Sequence, residues 1–549
     1  MPSIYFIDNC NLKDCNRISS HIFAIVFLGL LSLLFIIGGC SMVGPDYVKP
    51  TAPEPQEWLE STDSKIESKA ADFSSWWTVF NDPTLNALVQ NAYQQNLTLQ
   101  STGIRILEAR AQLGIAIGDQ YPQTQQATGD TTAQKTSRNL PNAASAERFA
   151  YVYDMGFDVA WELDFWGKFR RAVQAGVADL QASIADYDDN LVFLTSEVAR
   201  VYITLRTSEE RLAVAHDNVK IQTESLRLAQ AQFDAGAVTE LDVFQSKALL
   251  RSTEATIPGF ESDIRQAKNA LAILLGKLPG EIDAMLTGPG RIPQMPTEIS
   301  VGIPAELLRR RPDIRLAERQ LAAQSAQIGV AKADLYPSFS LFGSIGYTTA
   351  GSTSSPQSRN SGLSDMFKNN SFGYSVGPSV SWNLFNYGRI TNSIRVEDAR
   401  FQQLAVDYEN TVLQAVQEVE DAMIAYLRTQ DQVAFLADAV AAYKSSVDLS
   451  TLQYKEGLVD FQRVLDAQQN LVQQQDNLVT TTGDVSLNLI SLYKALGGGW
   501  EMRAGKNFVA DSIKAEMKAR TNWGDLLAPA ELEFPPSEEV DRLFNRPDW

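Results

Sequence analysis

Between Tyr151 and Leu163 every odd-numbered residue is large and apolar: Tyr151, Tyr153, Met155, Phe157, Val159, Trp161 and Leu163. The residues between them are Val152, Asp154, Gly156, Asp158, Ala160 and Glu162. Alternation with a period of two predicts a strand with one apolar face and one small or polar face. A second such strand is predicted over Phe372 to Leu384, where Phe372, Tyr374, Val376, Pro378, Val380, Trp382 and Leu384 alternate with Gly, Ser and Asn. Ser338 to Thr348 supplies a third, with Phe339, Leu341, Ile345 and Tyr347 on one side. The segment from Gln123 to Thr131 is polar and is placed as the fourth strand by repeat symmetry alone. Thirteen residues is long for a soluble strand and suits a tilted membrane strand of about 9–11 residues plus its ends. A soluble sheet with one wet face is the other reading of this pattern.

Elsewhere the period lengthens. From Gly167 to Ala235 there is no proline in 69 residues, enough for a helix of ~100 Å. Apolar residues fall at Val177, Leu180, Ile184, Tyr187, Leu191, Leu194, Val198, Val201 and Leu205, alternating steps of three and four. Phe401, Ala405, Tyr408, Val412, Ala415, Val419, Ala422 and Tyr426 repeat the pattern. This is a heptad seam, which predicts coiled-coil packing in place of a globular core. Gly236 and Gly457 stand where each long helix should reverse into a partner.

These elements occur twice in order. Ala109–Pro122 matches Gln324–Pro337 at a shift of 215 residues; Tyr151–Lys168 matches Phe372–Arg389, and Ala231–Val243 matches Leu452–Val464, both at 221. The chain therefore reads as a first repeat over 84–276 (helix, β-hairpin 122–166, coiled-coil hairpin 167–276) and a second over 313–498 (helix, β-hairpin 337–387, coiled-coil hairpin 388–498). A Pro- and Gly-rich linker, 277–312, joins them, and a polar tail, 499–549, follows. Four strands cannot close a barrel, and an open sheet edge cannot face lipid. If the strands span a membrane, several subunits must pool them.

The amino terminus sets the compartment. Residues 22–38 are uncharged and apolar behind Lys13 and Arg17, and Ile37-Gly38-Gly39-Cys40 resembles the lipobox of bacterial lipoproteins. Residues 1–39 are expected to leave as a signal peptide, with Cys40 lipidated at the head of the segment 40–83. Ser41 after the cysteine points, in that class, to the outer membrane. A retained transmembrane helix is the alternative. The net charge of −19 argues against a nucleic-acid-binding surface. Two histidines and three cysteines, most of them in the leader, leave no triad, internal disulfide or metal-ligand cluster, so neither a cofactor nor a metal is expected.

Several motifs then acquire meaning together: Gly44-Pro45-Asp46-Tyr47, Trp76-Trp77 with Phe80 and Asp82-Pro83, Trp161-Glu162-Leu163-Asp164 with Gly167, Asn269-Ala270-Leu271-Ala272, and Leu308-Arg309-Arg310-Arg311-Pro312-Asp313. In this order they resemble the outer membrane factors of the TolC/OprM type, lipoprotein branch. The resemblance implies a mixed α/β membrane protein with four membrane β-strands per subunit. A homotrimer would form a 12-stranded barrel continuing into a long α-helical coiled-coil periplasmic tunnel. It implies an exit duct for drugs or other small molecules, working with a periplasmic adaptor protein and an inner-membrane pump of the resistance-nodulation-division class. By the same resemblance, Gly236, Ala237, Val238 and Thr239, with Gly457, Leu458, Val459 and Asp460, are adaptor-docking tips. Gln462 and Asp466 fall on the periplasmic constriction, Gln462 standing where the family has leucine. Three Asp466 carboxylates on one axis would repel unless cations bridge them.

Rival readings differ in class. An enzyme lacks any nucleophile–base pair or phosphate loop here. A pore-free coiled-coil lipoprotein would have no use for the alternating strands. A duct for protein secretion or metal efflux shares every feature above, but the lack of His-, Met- or Cys-rich export motifs argues against metal ions.

Overall fold

The computed structural model describes residues 42–528 except 52, 54, 68–72, 138, 140–148, 287–289, 297–298, 303–309 and 353–361. The leader, Cys40, Leu308, Arg309 and the last residues of the tail lie outside the described residues. In chain order the elements are β1 (Ile66–Glu67), α1 (Pro83–Gln95), α2 (Leu97–Gly118), β2 (Thr124–Lys135), β3 (Phe149–Leu163), α3 (Lys168–Asp234), α4 (Glu240–Glu254), α5 (Ile257–Leu274), β4 (Ile299–Ser300), α6 (Pro312–Ala333), β5 (Ser338–Ser352), β6 (Phe372–Ser381), α7 (Arg389–Lys455), α8 (Phe461–Ala495) and α9 (Asp511–Arg520). Among the described residues, no helix is long and apolar enough to cross a membrane.

The four long strands form one antiparallel sheet in the order β2-β3-β5-β6. The central β3–β5 pairing joins the two copies, with Met155 opposite Tyr347 and Phe157 opposite Ile345. β2 is the surprise. Its sequence alternates poorly, yet it pairs with β3 along its whole length, from Thr124–Ala160 to Lys135–Phe149. Backbone hydrogen bonding to a well-patterned neighbour compensates for its weak side-chain signal. β6 stops at Ser381, short of the predicted Leu384, and the Trp382 indole donates to the carbonyl of Leu335 at 3.0 Å. Trp161 makes the matching bond to Gln120 at 3.1 Å. Both tryptophans therefore pin the helix-to-strand junctions.

The long helices α3 and α7 are each 67 residues, and all nine first-copy seam residues from Val177 to Leu205 are buried. The returning arms differ. In the second copy α8 is continuous over 35 residues, whereas in the first the chain breaks between α4 and α5, with Pro258 in the first turn of α5. Proline lacks the N–H and clashes with the preceding turn, so it can start a helix but not continue one.

The remaining segments gather around the middle of the helices. β1 pairs in parallel with β4, tying the amino-terminal segment to the linker. Asp82 caps α1, accepting from the amides of Thr84 at 2.8 Å and Leu85 at 3.2 Å, and also accepts from the Tyr202 hydroxyl at 2.6 Å. Trp76 stacks on Tyr493 with ring centroids 5.4 Å apart. The tail through residue 528 lies against the helices: Phe508 meets Tyr187 edge-on at 5.1 Å, and Arg110 donates to the Leu526 carbonyl at 2.6 Å.

Asp189 in this belt is pushed up to about 6, first by burial and then by the neighbouring Asp313 carboxylate. Its folded pKa exceeds the unfolded one, so the stability it contributes is complete below about 4 and is lost as pH rises through about 6. Moving from pH 7 to pH 5 should stabilise the protein by ~1 kcal/mol through this group. Thermal unfolding measured at both pH values should show that increment, and Asp189→Asn should abolish it.

Candidate functional site

Three places on this fold could carry function: the sheet, the hairpin tips and the face of α8 just beyond the second tip. The sheet has two unlike faces fixed by register. Tyr153, Met155, Phe157, Val159 and Trp161 on β3 share a face with Leu341, Ile345 and Tyr347 on β5 and with Tyr374, Val376 and Val380 on β6. Tyr374 and Val376 are 75% and 77% exposed. A contiguous exposed patch of this size marks contact with lipid or another protein. The opposite face carries Asp130, Asp154, Asp158 and Glu162 among mostly Thr, Ser and Gly, with Val152 and Phe342 its large apolar residues. Thr348 donates to Asp154 at 2.7 Å there. Each outer strand, β2 and β6, has a partner on one side only among the described residues.

Each tip is a Schellman reversal, in which the first two amides past the helix bond back to its last turn. Gly236 adopts φ +74° and donates to the Phe233 carbonyl at 2.8 Å, while Ala237 donates to Gln232 at 2.9 Å. Gly457, at φ +72°, donates to Tyr454 at 3.0 Å, and Leu458 donates to Gln453 at 2.9 Å. The left-handed conformation is why glycine stands at both positions. Val238 and Val459 turn inward onto a small core of Ala229, Val243, Tyr454, Phe461, Val464 and Leu465, which draws on both hairpins. Thr239 and Asp460 begin α4 and α8 without capping them through their side chains. The two tips are therefore fused side by side, with Ala237 and Leu458 left on the outside. Asp242 is held above its ordinary value, first by partial burial and then by Asp460 across the junction.

Gln462 and Asp466 lie one turn apart on the exposed face of α8. The Gln462 amide donates to Asp466 Oδ1 at 2.6 Å, and Gln245 of α4 approaches Gln462 Oε1 at 3.5 Å. Val464 and Leu465 between them, and Ala467 and Gln468 just beyond, are buried. Gln462 and Asp466 therefore face outward together, and the glutamine at 462 orients the carboxylate.

The buried ionic cluster was not visible in the sequence. Asp188 is 0% exposed and is gripped by both Arg503 of the tail and Arg315 of α6. The Arg310-Arg311-Pro312-Asp313 motif explains itself in the same region. Arg310 pairs with Glu501, and Arg311 binds Asp313 and Glu418, both at 2.8 Å, and the Ala495 carbonyl at 2.6 Å. Pro312 opens α6. The motif is the bolt between the second copy, the end of α8 and the tail.

Comparison with known proteins follows the same lines. The sequence profile of the family described as outer membrane efflux protein matches residues 88–277 and 303–498. The probable outer membrane lipoprotein SilC of Salmonella typhimurium is 29% identical over 476 residues, covering 86% of this chain and 98% of its own. The solvent efflux pump outer membrane protein SrpC of Pseudomonas putida is 30% identical over 481 residues, covering 85% and 97%. Among solved structures, the outer-membrane channel OprN matches with a TM-score of 0.77 at 33% identity, over 84% of this chain and 99% of that one.

Proposed function

The chain belongs to the outer membrane efflux protein family and is an outer membrane exit duct for efflux, and from that premise we propose that it works as a trimer. Three four-stranded sheets would close edge to edge, β6 of one subunit on β2 of the next, into a 12-stranded barrel. The observation that supports this is the sheet itself: apolar on one face, acidic and hydroxylic on the other, and open at both edges. Lipid tolerates only closed hydrogen bonding, and pooling strands is the way four of them achieve it. The acylated Cys40 would tether each subunit to the membrane.

The far ends of α3 and α7 would meet a periplasmic adaptor protein through Gly236–Thr239 and Gly457–Asp460, beneath which an inner-membrane pump of the resistance-nodulation-division class drives transport. Asp466 and Gln462 would narrow the tunnel on its axis. Cargo, drugs or other small molecules, would be selected by the pump and not by this duct.

The protein should migrate in detergent as a heat-modifiable trimer and conduct in planar bilayers. Asp466→Ala should raise conductance and should sensitise an adaptor-free strain to large antibiotics several-fold. Monomers without conductance would sink the trimeric duct. Unchanged permeability in the variant would remove Asp466 from the gate while leaving the duct intact.

A further inference from the structure

At the junction between sheet and helices, an arginine is buried for a reason that duct function does not supply. Arg171, in the first turn of α3, is 3% exposed. Its donors are directed largely at one extended stretch of chain. Nε donates to the Val43 carbonyl at 3.2 Å, and Nη2 donates to the Gly44 carbonyl at 3.4 Å and to Asp46 Oδ1 at 2.8 Å. Nη1 donates to Gln174 at 2.9 Å. The Val43 amide donates in turn to the Trp166 carbonyl at 2.9 Å. Residues 42–46 thus form a strap held across the foot of β3.

The crevice that receives the strap is built to backbone dimensions. A Cβ on Gly44, which sits at φ +98°, would lie 2.4 Å from the Cα of Gly329 on α6. A Cβ on Gly329 would lie 2.9 Å from both the Val43 carbonyl oxygen and Arg171 Cγ. The strap continues along α6, where Lys49 pairs with Glu318 at 2.7 Å and Arg319 lies over the Tyr47 ring at 6.0 Å. A buried guanidinium must have its donors satisfied, and here the acceptors come mostly from the strap.

Cys40 is two residues ahead of Met42, at most about 7 Å of extended chain. We propose that Arg171 is the positioning residue of the lipid anchor. By clamping residues 43–46 across α3 and α6, it makes acyl chains on Cys40 enter the membrane beside the foot of the barrel wall. A lipid on a free tether would fix only that the subunit stays near the membrane. A lipid on a clamped strap also fixes the depth and tilt of the strands relative to the headgroups. This inference rests on the trimeric, acylated reading above.

Val48 is 78% exposed and, with Cys40 thioether-linked and the leader cysteines gone, Val48→Cys supplies one reactive thiol per subunit. In full-length acylated protein carrying a nitroxide there, pulsed dipolar spectroscopy should give one narrow distance between subunits. Arg171→Met should at least double the width of that distribution while the heat-stable trimer persists, and Arg171→Lys should recover part of the narrowing. Gly44→Ala should broaden it too, because its Cβ would meet only the backbone of Gly329 and so expels the strap without touching the arginine. An unchanged width in both variants would overturn the proposal. So would collapse of the trimer in both, because the arginine would then hold the assembly instead of the anchor. A single-labelled protein that is monomeric before any variant is made would point to failure of the trimer itself.

Discussion

Replacing Asp188 by alanine should cost about 3–5 kcal/mol of stability, because breaking one side of a buried ion pair leaves the other charge without a partner. Arg503 from the tail loses its carboxylate here, and Arg315 from α6 loses one of its contacts, both with side chains mostly out of water. The loss should appear as a large fall in the temperature at which the assembly dissociates. The tail should also become sensitive to protease near Arg503, since its ionic link to α3 is gone. Arg503→Met removes one partner and leaves Asp188 with Arg315 alone, so it should cost less. A fall in Asp188→Ala no larger than that of a surface substitution would show that the belt is held by its aromatic contacts alone, chiefly Phe508 on Tyr187 and Trp76 on Tyr493.

The second large effect concerns neighbouring residues on opposite faces of one strand. Phe157 sits mid-way along β3 on the apolar face, and Asp158 follows it on the polar face. In a barrel, Phe157→Arg would place a cation against lipid near the middle of the membrane, at a cost of ~2–4 kcal/mol per subunit. Three subunits would share that defect, so outer membrane assembly should be lost or severely reduced. Asp158→Asn, one position on, should assemble normally, since a lumen-facing position loses only a charge and its weak contact with Thr128 at 3.3 Å. Membrane fractionation and heat-modifiability in gels would separate the two. Normal insertion of Phe157→Arg would mean that this face does not meet lipid.

Periodicity carried much of this architecture because the forces behind it are one-dimensional. The alternation in Tyr151–Leu163 and the three-four spacing of Val177–Leu205 state which face is apolar, whatever the partner is. A duplicated chain states each element twice, which is how the strand at Thr124–Lys135 could be expected from a segment whose own composition argues against it. The reversals at Gly236 and Gly457 were legible because only glycine enters the left-handed cap without strain. At the candidate gate, i to i+4 spacing alone puts Gln462 and Asp466 on one face.

What the linear sequence left open depends on partners distant along the chain. Asp188 reads as one more acid on a 67-residue helix, and nothing local announces that residues 315 and 503 converge on it. Arg171 likewise looks like an ordinary basic residue at a helix start until residues 43–46 are threaded past it. The break between α4 and α5 needed only Pro258, but the fusion of the two tips over Tyr454 and Phe461 needed both hairpins in place. Sequence alone determined the elements, their faces and their duplication, because backbone sterics and the burial of apolar stripes act on neighbours a few residues apart. The tertiary structure decided which charges are buried together and where residues 43–46 are held, because electrostatic pairing in a low-dielectric interior depends on distances that no local pattern encodes.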